Sequence, residues 1–238
     1  MGTSGNIFAT SDSFLIFCDL HLNSDQFAAA GEEAGADGVM LHLNQDSPHG
    51  GRFGGIEIEE ESIKQALSVL KIPAGLSIGE SRILLEDDWE AIVNLGFSFV
   101  NMYAHHLPTF IWEDSRISKV VSIGPGYVFE QIRSLSELEG TSAIVAALAP
   151  ASGIGMPLTV FDVTTVGLIA KLSSKPVLMP TQRSIRPKDI PFLMKNGCRG
   201  LLVSSLVYGE HVEELKEKVS AFRAVTSEGP APDLQNIP

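Results

Sequence analysis

Short, unbroken apolar runs alternate with amphipathic segments along almost the whole chain, and no other feature constrains the fold as much. The runs lie at 14–21, 38–44, 74–80, 99–105, 120–125, 143–149, 177–182 and 200–205. Each is continuous rather than alternately apolar and polar, as in a strand of a parallel sheet buried on both faces. The segments between them, 25–34, 60–70, 87–95, 109–117, 128–138, 160–172, 187–195 and 212–225, repeat apolar residues near i, i+3 and i+4. Helices covering such a sheet carry that spacing. Local punctuation agrees. Ser24 precedes Asp25 as a helix cap, Pro187 suits a first helical turn, and Gly35, Gly96, Gly140 and Gly197 follow helix ends.

Eight strand-then-helix units in 238 residues match the size of a single (β/α)8 barrel. A doubly wound open sheet is the alternative, but no G-x-G-x-x-G follows the first run. The barrel is expected to occupy residues 1–228, with 229–238 as a flexible tail holding three prolines. The longest irregular stretch, 45–59, contains Pro48 and four glycines and reads as a lid or binding loop.

Composition narrows the function. With 44% hydrophobic residues the chain can bury a core. Its 29 acidic against 17 basic side chains, a formal charge of −12, make nucleic acid and anionic membrane surfaces poor partners. No stretch approaches the roughly 20 apolar residues of a membrane span, and no basic segment opens the chain as in a signal peptide. Cys18 and Cys198 both lie in apolar runs and read as buried free thiols. A soluble, cytoplasmic protein is expected.

A barrel of this kind carries its chemistry at the C-terminal ends of its strands. The first run ends in Asp19 and His21, the second in His42 and Asn44, and the third in Glu80. The fourth ends in Asn101, Tyr103 and His105, with His106 next; the seventh and eighth end in Gln182, Arg183, Ser204 and Ser205. Residues two apart on a strand share a face. Turned inward, Asp19, His21, His42, Asn44, Glu80 and His105 would crowd one half of the mouth. Proton transfer would use Asp19, His21, His42, Glu80 and His105, with Asp19 orienting a histidine. A divalent metal could use the same five as ligands. Bland readings compete: His49 and His106 as hydrogen-bonded structural residues, Asp19 as a loop cap, and Glu80 paired with Arg82. No H-E-x-x-H motif occurs, so neither a metal nor a cofactor is assigned. None of the nine lysines ends a strand at the mouth, which disfavours Schiff-base chemistry.

Loops after the last two strands often hold a substrate phosphate. Thr181-Gln182-Arg183-Ser184 follows the seventh run, and Ser204-Ser205-Leu206-Val207-Tyr208-Gly209 ends the eighth. The stretch 176–208 resembles the last quarter of phosphate-binding TIM barrels, which implies anion contacts from Arg183, Ser204 and Ser205. It departs from them in lacking a glycine-rich seventh loop; Arg183 could replace those backbone donors. A second, local resemblance runs through Ala34-Gly35-Ala36-Asp37-Gly38-Val39-Met40-Leu41-His42-Leu43-Asn44-Gln45-Asp46, which is similar to a segment of pyridoxine 5′-phosphate synthase. Glu80 would then sit near that family's strand-3 glutamate, while its late catalytic histidine has no equivalent here. The loop 149–157, small and glycine-containing, reads either as a cover for a ligand or as a connector.

The expectation is an enzyme that acts on a small anionic, phosphorylated metabolite by acid–base chemistry, an isomerase or lyase. Rival readings are a metal-dependent hydrolase or lyase and a non-catalytic barrel serving binding or assembly. Packing through outer helices could also make a homo-oligomer.

Overall fold

A computed structural model describes residues 7–10, 13–47 and 51–227. His49 and the stretch 229–238 lie outside the described residues. Eight parallel strands close into one barrel in chain order. They are β1 (Leu15–Asp19), β2 (Gly38–Leu43), β3 (Ala74–Ile78), β4 (Phe99–Tyr103), β5 (Ser118–Ile123), β6 (Thr141–Ala146), β7 (Val177–Pro180) and β8 (Cys198–Ser204). A short α1 (Ile7–Thr10) precedes them. Around the outside run α2 (Asp25–Glu33), α3 (Ile56–Val69), α4 (Glu86–Leu95), α5 (Thr109–Glu113), α6 (Phe129–Glu137), α7 (Val160–Leu172) and α8 (Ile190–Lys195). The short α9 (Ser205–Tyr208) follows β8 directly and leads to α10 (Val212–Ser227). Among the described residues, no helix is long and apolar enough to cross a membrane.

All eight runs became strands and all eight amphipathic segments became helical, with shifts at the ends. The largest shift concerns the expected 45–59 loop. Helix α3 begins at Ile56, about one turn earlier than the sequence suggested. Gly55 caps it in extended conformation, and Glu57 and Glu59 fall in the first turn, where carboxylates favour the helix dipole. Of what remains, the described residues 45–47 and 51–53 pair through an Asp46–Arg52 bridge and the Phe53 N–H donating to Gln45 O at 2.8 Å. The opposite change occurs in α5, which ends at Glu113 rather than 117. Asp114 leaves the helix to accept from Trp89 Nε1 at 2.8 Å and from Arg116. Those contacts hold its carboxyl well below the usual carboxylate range, the Arg116 bond contributing most.

Alternation along each strand divides the core in two. Ile16, Cys18, Val39, Leu41, Leu76, Val100, Val121, Ile144 and Val203 face the helices. Leu15, Phe17, Met40, Phe99, Val120, Ala143, Val145, Leu178 and Leu202 face inward with Phe8 of α1. Phe8, Phe17 and Phe99 form an aromatic triad with ring centroids 5.1–5.6 Å apart, so α1 plugs the end opposite the mouth. Gly75 makes that packing possible, because a Cβ there would overlap the Phe99 ring. Cys18 and Cys198 are buried free thiols, and burial pushes Cys198 up to about 12 and Cys18 higher still.

Candidate active site

The inward phase of each strand changes character toward its C-terminal end. Phe17 is followed inward by Asp19, Met40 by His42, Phe99 by Asn101 and Tyr103, and Val120 by Ser122. Apolar packing below thus gives way to polar side chains above, on β1 to β5. These side chains join into one chain of hydrogen bonds. The Ser122 hydroxyl donates to Asn101 Oδ1 at 2.7 Å, and Asn101 Nδ2 reaches Ser77 Oγ at 3.5 Å. Ser77 Oγ donates over 3.4 Å to Gln45 Oε1, and Gln45 Nε2 meets His42 Nδ1. His42 Nε2 lies 2.9 Å from Asp19 Oδ1.

Every link has its donor on the same side. With Gln45 presenting its amide N–H to Nδ1, the His42 proton sits on Nε2 and points at Asp19. The Phe53 ring packs on the His42 ring, with centroids 4.8 Å apart. The His42 side chain is only 5% exposed and both its nitrogens are engaged, whereas Asp19 is 21% exposed. Among the described residues Asp19 uses only Oδ1 for a side-chain contact. Asp19 and His42 thus meet in one contact, with His42 the more deeply buried of the two.

The loops of this half are seated by backbone contacts. Asn44 adopts a left-handed φ of 55°. Its N–H donates to Gly54 O at 2.9 Å, and its carbonyl accepts from Ser81 N at 3.0 Å. Gly79 passes so close to Asn44 and Gln45 that a Cβ would not fit. That contact sets Gln45 against His42 and brings Glu80 to the rim.

His21 is placed apart. Its ring packs edge-on against Phe27 of α2 at 4.5 Å, and its backbone N–H donates to Tyr208 Oη at 3.1 Å. That hydroxyl in turn donates to Asp19 O at 2.9 Å, so α9 clamps the end of β1. Glu80 does not pair with Arg82, which instead meets Glu57 and Asp88. The Glu80 carboxylate pairs with His106 Nε2, and His105 Nδ1 meets the Tyr127 hydroxyl. Tyr103 lies nearby; burial, and then the neighbouring Tyr127 and Glu80, raise its pKa.

On the β6–β8 side the picture differs. Arg183 is 9% exposed; its NH1 donates to Gly153 O at 2.8 Å and its NH2 to Asp162 Oδ1 at 3.0 Å. Asp162 also caps α7, accepting from Thr159 N and Thr159 Oγ1. Burial opposes its charge, yet the Thr159 and Arg183 bonds together hold the carboxyl below its ordinary value. Arg183 was expected to grip a ligand anion; two of its three nitrogens are instead bound inside the protein, and Nε is buried without a partner. The loop 149–157 is fastened by the same contacts, by Gly155 N donating to Gln182 O at 2.8 Å, and by a Pro157–Ser184 bridge. Ser204 and Ser205 are buried at the start of α9, and Ser204 Oγ lies 3.0 Å from Thr181 Oγ1.

Sequence reasoning names Asn101 and His106 but gives neither a part in the chemistry, and it passes over Gln45, Ser77, Ser122 and Tyr127. Asn101 and Ser122 share the inward phase of residues it did select, which was the available signal. Gln45 and Tyr127 lie in loops, where no periodicity marks them.

The chain is thus a single (β/α)8 barrel with a polar mouth. No protein-family model matches the chain, and no curated protein matches its sequence. Solved structures do match its fold. A tryptophan synthase from M. tuberculosis aligns at TM-score 0.66 and 14% identity, over 90% of this chain and 93% of that one. A tryptophan synthase alpha-subunit variant from Pyrococcus furiosus gives 0.64 and 17%, over 89% and 98%. Thiamine phosphate pyrophosphorylase from Pyrococcus furiosus gives 0.63 and 14%, over 90% and 96%. Identities this low establish a shared fold.

Proposed function

We propose that the mouth is the active site of an enzyme acting on a small anionic, phosphorylated metabolite by acid–base chemistry, as an isomerase or lyase. The observation that carries this reading is the Asp19–His42 pair at the end of a one-directional hydrogen-bond chain. Asp19 is the proton acceptor, exposed enough to meet a substrate. His42 holds it in place and offsets the charge that changes during transfer, and Gln45 fixes the His42 tautomer. Proton transfer then needs neither His21 nor the rim residues Glu80 and His105. The anionic group of the substrate would meet Ser204, Ser205 and the first turn of α9, with Arg183 acting as a positioning residue that locks the loops after β6 and β7.

The resemblance of 176–208 to phosphate-binding barrels supports the anion, as does the name of thiamine phosphate pyrophosphorylase. The local similarity of 34–46 to pyridoxine 5′-phosphate synthase points the same way. A cytoplasmic location belongs to this reading. So does a homo-oligomer, for which Val160 (80% exposed) and Phe161 (76%) on α7 offer an apolar contact.

The test is a thermal-shift screen of phosphorylated and carboxylated metabolites, followed by turnover assays on the hits. A ligand at about 100 times its dissociation constant adds roughly 2.7 kcal/mol of stability. Asp19→Asn is expected to keep the shift and lower turnover by about 10²–10⁴-fold. A ligand bound tightly with no product in either protein would favour the non-catalytic barrel. Unchanged turnover in the variant would remove Asp19 from the chemistry.

A further inference from the structure

Glu80, His105 and His106 form a second cluster on the rim, which proton transfer at Asp19 does not use. Consecutive residues on a strand point to opposite faces, but β4 ends at Tyr103 and the chain turns there. The His106 N–H donates back to Tyr103 O at 2.9 Å. The turn brings both imidazoles to one side, with ring centroids 4.1 Å apart. Glu80, carried in from the loop after β3, completes the group. One ligand atom from each residue lies within 4.8 Å of the others.

We infer that this cluster binds a divalent transition metal of the zinc type. Two imidazole nitrogens and one carboxylate oxygen are a donor set that suits a borderline-soft cation better than magnesium or calcium. The contact between Glu80 and His106 alone would be a surface ion pair of little consequence. Such a pair needs one histidine, and it leaves the adjacent imidazole and its tyrosine unexplained. Tyr127 supplies the supporting contact that metal-binding histidines usually have. Its hydroxyl meets His105 Nδ1 and accepts from the His105 backbone N–H at 3.3 Å, leaving Nε2 of that ring for the cation. Glu80 is 68% exposed and His105 is exposed, so solvent reaches the outer side of the cluster, while His106 Nε2 is buried beneath it. Three protein ligands with water at the remaining position is the open arrangement, in which a metal can take a substrate atom. The site stands independently of the Asp19 chemistry.

The experiment uses the full-length, tag-free chain, stripped with EDTA and titrated with Zn²⁺ against a chromophoric chelator, and with Co²⁺ followed by visible absorption. One equivalent of Zn²⁺ per chain is expected, with a Co²⁺ spectrum showing nitrogen and oxygen ligation. His106→Ala and Glu80→Gln should each weaken Zn²⁺ by about 10-fold or more, and Tyr127→Phe by about 10-fold through its hold on His105. His211→Ala serves as the control and should leave affinity unchanged. The three cluster variants alter the rim alone, so matching melting temperatures of the stripped proteins would tie any lost affinity to the ligands. Failure to bind one equivalent, or binding that survives both His106→Ala and Glu80→Gln, would overturn the site.

Discussion

Two contacts between an acid and a nitrogen group lie at the C-terminal ends of the strands, and they differ in what they leave free. Arg183 and Asp162 meet at 3.0 Å, Asp19 and His42 at 2.9 Å. Asp162 spends one oxygen on Arg183 and the other on Thr159, and it is 7% exposed. Asp19 spends one oxygen on His42 and is 21% exposed. The first contact is saturated and joins α7 to the loops after β6 and β7. The second closes a chain of hydrogen bonds donated toward a carboxylate that reaches the mouth. Pairing alone therefore does not mark a site. What marks it is an unsaturated group held by saturated neighbours.

The largest effect expected from this contrast is on stability at the saturated contact. Arg183→Met leaves the Asp162 carboxylate buried without its cation and should cost about 3–5 kcal/mol in denaturant unfolding. The pH dependence carries a sign. Because the Asp162 carboxyl is held below its ordinary value when folded, its contribution is complete above the unfolded carboxylate pKa, near 4. It is lost as pH falls through the lower folded value. Removing Arg183 should thus shrink the stability gap between neutral and acidic solution. A variant as stable as the parent, with an unchanged acid limb, would erase the distinction between the two contacts.

Arg183 also shows why part of the site was not legible. An arginine at the end of the seventh apolar run looks free on paper, because nothing in the sequence announces that Asp162, 21 residues earlier, folds back onto it. His106 reads from sequence as a structural residue for a related reason. The fourth run extends two residues past the strand end at Tyr103, and the turn there brings His106 to the same side as His105. The strands, in contrast, could be read almost residue by residue. A sheet buried on both faces demands unbroken apolar runs, and few other structures do. The same alternation put Asp19 and His21 on one face of their strand, and His42 and Asn44 on one face of theirs, without saying which face turns inward. The division of roles between Asp19 and His42 depends on Gln45, a loop residue with no periodic signature.

A smaller effect is expected at the head of the hydrogen-bond chain. Ser122→Ala removes the 2.7 Å bond to Asn101 and should cost about 1 kcal/mol. Because the links act in series, it should also loosen the chain as far as His42, read as broadened His42 ring signals in NMR. A loss of stability with no change at His42 would separate the links and reduce the chain to isolated bonds.

The most direct measurement is the tautomer of His42, read from long-range ¹⁵N–¹H correlation spectra of imidazole-labelled protein at neutral pH. The Ser122-to-Asp19 chain predicts a proton on Nε2 and a bare, hydrogen-bonded Nδ1, a state that Asp19→Asn should disturb. A proton on Nδ1, or a ring averaging between both forms in the parent protein, would contradict the one-directional chain and with it the case for Asp19 as the proton acceptor.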